Sequence, residues 1–255
     1  MNLDHLTELK RKMDAYRPLT QAEIKAIREY ERIEQIYASN ALEGNTLTYT
    51  ETKLILETGI TVSEKPLKDH LEVINLKEAM DFVESLVNGK EELNERSLKD
   101  IHRLVVDRVI DRVFVGNYRR IDVMISGSKH LPPSFLTVQD EMDKFFEWMS
   151  TAMQELHPVE FAALLHEKFV TIHPFADGNG RTARLLMNFA LTKNGYPPIM
   201  IKPTPDSRKA YLKALEHGNM TGDNDPFIKI VADLVESKLN ERIVQLEFVN
   251  HSPMD

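Results

Sequence analysis

Residues 173–184 read His-Pro-Phe-Ala-Asp-Gly-Asn-Gly-Arg-Thr-Ala-Arg. The stretch sits between two apolar helical patterns and decides how they join. Upstream, a helix opening at His157-Pro158-Val159-Glu160 is expected to bury Phe161, Leu164, Leu165 and Phe169 on one side. It must stop at His173-Pro174, because a residue before proline is pushed out of helical geometry. The next helix is expected to begin inside Gly178–Arg181 and run to Lys193, with Gly195 and Pro197-Pro198 closing it.

The chemistry of the loop follows from that placement. The first turn of a helix carries unpaired N–H groups at the positive end of its dipole, which is a site for phosphate. Gly178 and Gly180, on either side of Asn179, let the backbone turn sharply and approach a ligand closely. Arg181 and Arg184 fall on neighbouring helical positions and are expected to flank a polyphosphate. Asp177 offers hard oxygen for magnesium, which takes one or two carboxylates together with substrate phosphates and water. His173 is the one group here whose ordinary pKa suits proton removal near neutrality. These are the parts for moving a phosphate-containing group from a nucleotide to a hydroxyl.

Working outward, most of the chain reads as helix. Thr20-Gln21-Ala22-Glu23 is a capping box opening a segment with Ile24, Ile27, Tyr30 (or Ile33) and Tyr37 at helical spacing, stopped at Gly44-Asn45. Further helices are expected over 50–57, over 67–86 with Leu71, Ile74, Leu76, Met80 and Val83 inward, and from Ser97 through Ile101, Leu104 and Val105. Others follow over 138–151, 207–217 and 226–247, the last with Asp225 as cap and proline at the first helical position. Residues 113–133 differ, being rich in β-branched residues and turn formers. Ile121–Ile125 and Lys129–Leu131 read as a short hairpin around Ser126-Gly127-Ser128. The fold class is therefore all-α, a helical bundle with a small β-hairpin. The expected organisation is an N-terminal helical segment over 1–60 packed on a unit formed by 61–255.

Composition narrows the function classes. The 255 residues include 42% hydrophobic and 28% charged, ordinary for a globular protein, and the net charge of −8 argues against general binding of nucleic acid. The absence of cysteine excludes disulfides, thiolate catalysis and zinc–thiolate sites. The N-terminus lacks the apolar region of a secretory signal, and no apolar run approaches the ~20 residues that span a bilayer. A cytoplasmic enzyme or regulator is expected, with no membrane partner. No P-loop signature is present. His102, His157, His166 and His217 have no ligand-like spacing with carboxylates and read as structural or solvated.

The complete stretch from His173 to Arg184 resembles the HPFx[D/E]GNGRxxR signature of Fic-domain proteins, and the resemblance extends from about Ser39 to Phe227. It implies a Fic fold whose hairpin is a flap, with AMP transferred from ATP–Mg²⁺ to Ser, Thr or Tyr hydroxyls of target proteins docked at 121–131. By position, His173 would be the general base and Asp177 would hold Mg²⁺. Asn179 and the Gly178–Gly180 amides would bind the α- and β-phosphates, and Arg181 and Arg184 the distal ones. Thr182 and Ala183 complete the ATP-binding stretch. Glycine at 180, where a phosphorylating branch has lysine, favours AMP transfer. Gly127, Ser128, Lys129 and His130 of the flap would lie over the nucleotide, and Tyr211 and Asn219 would meet adenine.

A second resemblance is Ser39-Asn40-Ala41-Leu42-Glu43-Gly44-Asn45, similar to the [S/T]xxxE[G/N] inhibitory motif of the same family. It implies an inhibitory helix over about 20–43, with Ser39 and Glu43 on one face and Glu43 paired with Arg184 in place of the γ-phosphate. The same carboxylate would offer a base for removing AMP from modified targets. A different donor (UMP or phosphocholine transfer) and a nucleotide-sensing binding module remain as alternatives. The chain's end soon after Glu247 lowers the expectation of a DNA-binding winged helix. Homo-oligomerisation is left open.

Overall fold

A computed structural model describes residues 2–16, 21–125 and 128–251. Its elements are α1 (Asp4–Asp14), α2 (Gln21–Leu42), α3 (Tyr49–Thr58), α4 (Leu67–Asn88), α5 (Glu95–Val106), α6 (Val138–Glu155), α7 (Pro158–Ile172), α8 (Asn179–Lys193), α9 (Pro205–Thr221) and α10 (Asp225–His251). The all-α reading holds. The expected capping box at Thr20, and Ser126 and Gly127 of the flap, lie outside the described residues, as do the side chains of Ile24 and Ile27.

The helix pair α7–α8 is the centre. Helices α6, α9 and α10 pack on α7, while α2, α4 and α5 pack on α8. Phe161, Leu165 and Phe169 are buried on α7, as its pattern predicts, and Leu186, Met187 and Leu191 are buried on α8. One continuous apolar core joins Leu6, Ile36, Leu47 and Ile55 of the N-terminal helices to these residues. α1, which the sequence did not announce as a helix, lies along α10 and buries Leu3 and Leu6. No helix among the described residues is long and apolar enough to cross a membrane.

Helix ends follow local chemistry more closely than periodicity. Thr48 caps α3 through a reciprocal pairing with Glu51, and Gly59 ends it in the left-handed conformation, φ 71°. α5 begins at Glu95 because Asn94 is its cap, so Ser97 is the third residue of a capping box rather than the start. Thr204 likewise starts α9 two residues before Ser207. Inward faces also shift. Tyr30 is exposed on α2, where Ile36 and Leu42 are the buried anchors, and Ile74 is exposed on α4. α4 instead turns Asp69, Glu72 and Asn75 inward. Asp69 accepts hydrogen bonds from the Thr46 amide and hydroxyl, and Asn75 donates to the Asp107 carbonyl. The polar face of α4 is thus a bracket for the loops after α2 and α5.

The expected hairpin is corrected. Among the described residues there is no strand, and 121–125 and 128–131 form an irregular loop. Side chains take the backbone partners that a ladder would have used. Arg119 donates to the carbonyls of Ile121 and Pro133, tying the two arms together, and Asp122 accepts from the Phe135 amide at 2.8 Å. The Lys129 amide donates to Glu216, and the His130 ring bonds the Thr171 carbonyl at 2.9 Å, which seats the loop on α7 and α9.

Arg119 is 2% exposed and reaches further than the loop. Its Nε donates to the His173 carbonyl at 2.9 Å, and its backbone amide to the Pro174 carbonyl at 2.9 Å. Arg119→Ala removes the side-chain donors and leaves enclosed carbonyls unpaired. It is expected to destabilise the fold by about 3 kcal/mol in denaturant unfolding; a loss under ~1 kcal/mol would show that the tie is dispensable.

Candidate functional site

The loop between α7 and α8 is built from its own backbone requirements. His173 caps α7 with φ 51°, a left-handed conformation that a non-glycine residue holds only under constraint. The constraint is Arg119 on its carbonyl, with Pro174 next in line. The His173 Nδ1 lies 3.3 Å from the Val170 carbonyl. A carbonyl only accepts, so Nδ1 carries the hydrogen and Nε2 keeps its lone pair. Burial, with the nearby Arg119 charge, holds the imidazole below its usual pKa, outweighing the Val170 hydrogen bond. Proton acceptance at Nε2 is therefore available at neutral pH.

Gly178 is the N-cap of α8 with φ 79°. A Cβ there would lie 2.6 Å from Val106 and 3.4 Å from the His102 ring. Gly180 faces the other way, where an added Cβ would come within 2.2 Å of a Glu43 carboxylate oxygen and 3.2 Å of Arg184. The two glycines thus let the turn sit down on α5 and let an anion approach from above. Asp177 keeps 44% of its side chain open, with Oδ1 accepting from the Gly178 amide and lying 3.4 Å from Arg181.

Several loop residues have roles other than those expected. The Asn179 side chain bonds both polar groups of Phe175, accepting from the amide at 3.0 Å and donating to the carbonyl at 2.8 Å, so it staples the loop. Thr182 and Ala183 are fully buried, so their side chains belong to the core and not to a ligand surface. Arg181 is also buried, lying 2.9 Å from Glu72 of α4 in a contact without hydrogen-bond alignment. It turns inward instead of standing beside Arg184. Glu72 escaped the sequence reading, although Asp69, Glu72 and Asn75 recur every third residue within an otherwise apolar helix.

Arg184 reaches across to α2. Its Nε donates to the Ser39 hydroxyl at 2.8 Å, and its NH2 donates to the Ser39 carbonyl at 2.9 Å and to Glu43 at 2.7 Å. Burial pushes the Glu43 carboxyl up, but the charge and hydrogen bond of Arg184, aided by Arg181, win and hold it below the usual carboxylate range. Arg208 of α9 adds a bond to the Leu42 carbonyl at the end of α2, and Asn45 donates to Glu72 at 2.9 Å. The expected pairing of Ser39 and Glu43 with Arg184 is thus present in the geometry.

The adenine residues differ from expectation. Tyr211 is buried, its hydroxyl 3.0 Å from His166 and its ring edge-on to that imidazole, so it packs the interior beneath Arg184. Its face is not open for stacking. Asn219 is half-buried and bonded to the Thr171 hydroxyl, near the His130 contact. In the flap, Ser128 accepts from the His130 amide, and Lys129 is exposed. A cavity of about 530 Å³ lies elsewhere, lined by residues including Met13, Arg32, Met80, Leu185, Tyr196 and Arg242. It contains none of the loop residues, so this hollow is separate from the loop.

For magnesium, the donor set is one partly open carboxylate, Asp177, beside a helix N-terminus. This fits an ion that keeps several waters and takes its other ligands from phosphates. No group of three or more potential metal ligands occurs among the described residues, which speaks against a cage made wholly by the protein.

A left-handed histidine, a glycine-walled turn and a buried arginine thus meet where the two central helices join. The chain belongs to the Fic/DOC family, whose model matches residues 92–191. It is 30% identical to a Fic domain containing signaling protein from Bacteroides thetaiotaomicron, with a TM-score of 0.86 over 95% of this chain and 96% of that one. Fic-1 from C. elegans is 29% identical with a TM-score of 0.86, over 97% of this chain and 72% of that structure. A protein adenylyltransferase Fic from Nematostella vectensis is 41% identical over 209 residues, 81% of this chain and 48% of the relative. The chain thus spans about half the length of the curated relatives it matches.

Gly178→Ala tests the seat of the turn. The left-handed backbone and the 2.6 Å approach to Val106 together predict a loss of about 2–4 kcal/mol in thermal or denaturant unfolding. Unchanged stability would mean that the turn relaxes without cost.

Proposed function

We propose that this protein transfers AMP from ATP–Mg²⁺ to a hydroxyl of a protein target, and that α2 holds the activity off. The observation that carries the first part is the placing of a tautomer-fixed base, His173 Nε2, in the same loop as the N-terminus of α8. Relatives named as protein adenylyltransferases support the donor and the acceptor class. In this reading the target hydroxyl loses its proton to His173 Nε2 while its oxygen attacks the α-phosphorus. The bond from that phosphorus to the bridging oxygen breaks, and pyrophosphate leaves. The amides at the start of α8 and the Arg184 guanidinium stabilise the phosphate charge. Magnesium held at Asp177 would neutralise phosphate charge. The described parts of the loop, 121–125 and 128–131, carry no ladder and expose Ile121, Met124 and Leu131, a surface suited to an extended target segment.

The second part rests on Glu43. A phosphate and this carboxylate are alternative partners for one buried guanidinium, so the distal phosphates cannot settle on Arg184 while Glu43 is there. Nucleotide bound beside it would have its α-phosphate out of line for attack. Glu43→Gly is expected to raise AMP transfer about 10-fold or more, measured as labelled AMP on target proteins. Equal rates for the variant and the wild type would exclude inhibition by α2.

His173 makes a further prediction. His173→Ala should lower transfer by about 10²–10⁴-fold with nucleotide binding retained. Because burial lowers the imidazole pKa, kcat/KM should rise with pH through a midpoint below 6.5 and stay flat above it. An acid limb centred above pH 7 would rule out this histidine as the base.

A further inference from the structure

One buried group beneath the loop has no part in the chemistry described so far. His102, on α5, is fully buried, and its ring lies flat against Phe175, with centroids 3.6 Å apart and planes within 1°. Both ring nitrogens are used. Nδ1 accepts from the Gly116 amide at 3.1 Å, and Nε2 lies 3.0 Å from the Asp177 carbonyl. An amide only donates and a carbonyl only accepts, so the tautomer is settled, with hydrogen on Nε2. Protonation would destroy the Nδ1 contact, and burial guards against it by pushing the pKa down to about 4.

We propose that His102 is a positioning residue that fixes the Asp177–Gly178 peptide so that the Asp177 carboxylate faces outward to hold magnesium. The need for such a group arises at Gly178. Without a Cβ, this residue places little steric limit on rotation of the peptide before it. Asn179 secures the loop at Phe175, the Gly178 amide of this peptide meets the Asp177 carboxylate itself, and the Asp177 carbonyl is held from the core side by His102. With the carbonyl drawn inward, the side chain projects to the side where 44% of it is open. The arrangement is that of a residue behind a metal ligand, where loss of the supporting bond typically costs about 10–100-fold in metal affinity. The inference rests on the reading of Asp177 as the magnesium ligand.

The test is calorimetric binding of a non-hydrolysable ATP analogue to the full chain, with and without Mg²⁺. His102→Phe keeps a flat ring against Phe175 but removes both hydrogen bonds. It should cut the Mg²⁺ enhancement of binding by about 10–100-fold, as Asp177→Ala does, while metal-free binding stays within about 2-fold. His102→Gln, which retains an N–H donor, should recover part of the enhancement. A merely structural role would lower stability and metal-free binding together and leave the Mg²⁺ ratio alone. Full Mg²⁺ enhancement in His102→Phe, with loss in Asp177→Ala, overturns the inference by itself. Enhancement preserved in Asp177→Ala fells the magnesium reading and the inference with it. A second measurement needs no variant at His102. Its Nε2–H resonance should move when Mg²⁺ is added to the analogue-bound wild type and stay still in Asp177→Ala. An unmoved wild-type resonance also overturns it.

Discussion

Two hydrogen bonds between the Asn179 side-chain amide and the backbone of Phe175, one donated and one accepted, close the turn on which the site depends. They anchor the loop at a ring that is itself fully buried between His102, Tyr118 and Phe169. A buried side-chain amide that fills both its roles on one residue's backbone acts as a rigid clip. With the clip closed, Gly178 is forced onto Val106, and α8 starts where its free N–H groups point away from the core. His173 stands at the other side of the clip, held by Arg119, so the base and the anion site share one support. The left-handed histidine is held by these ties, with Arg119 bonding the carbonyls of both His173 and Pro174.

Arg184 supplies the complementary constraint. A guanidinium that is 6% exposed as a residue needs a counter-charge, because an unpaired buried charge is costly. In this structure Ser39 and Glu43 provide it. Tyr211 and His166 form the floor beneath and add no negative charge near neutrality, since burial holds Tyr211 protonated and His166 neutral. Glu43 and an incoming phosphate are then matched alternatives, equal in sign and reaching the same donors. The inhibition proposed above would require no distortion of the loop, only occupation of Arg184.

How much was legible in the sequence follows from where each residue's partners lie. The ends of α7 and α8 were readable because His173-Pro174 and Gly178 act on their own backbone. Glu43 was readable because four residues separate it from Ser39 on one helical face, together with the family resemblance. Arg119 and His102 were not, since each acts through carbonyls more than fifty residues away. The flap misled for a related reason. Its β-branched run and turn residues have strand propensity, but Arg119 and Glu216 capture the Ile121 carbonyl and the Lys129 amide, groups that a ladder would need. For Tyr211 and Asn179 the family resemblance implies ligand contacts that the sequence cannot weigh against burial, and in the fold their side chains already meet His166 and Phe175.

The way α2 is attached bears on how readily Arg184 can be released. Apart from Ile36, Ala38 and Leu42, the buried positions described on α2 are polar. Glu31 pairs with Lys238 and Arg242 of α10, and Arg32 with Asp81 and Glu84 of α4. Asn40 is 1% exposed, yet neither amide atom finds a partner. An unsatisfied buried polar atom costs about 1–3 kcal/mol, close to what burying one leucine contributes. Asn40 therefore offsets roughly one of the apolar anchors, and water would restore its bonds if the helix moved away. The partly exposed Arg32 contacts lose little on release, because solvent replaces much of what they provide, and for the buried Glu31 pairs regained hydration offsets much of the lost attraction. α2 is consequently fastened most firmly at its C-terminal end, through Leu42, Arg208 and the Arg184 contacts themselves. A ligand that takes Arg184 from Glu43 would remove a main fastening in the same step, so binding at the site and attachment of the helix oppose each other through one guanidinium.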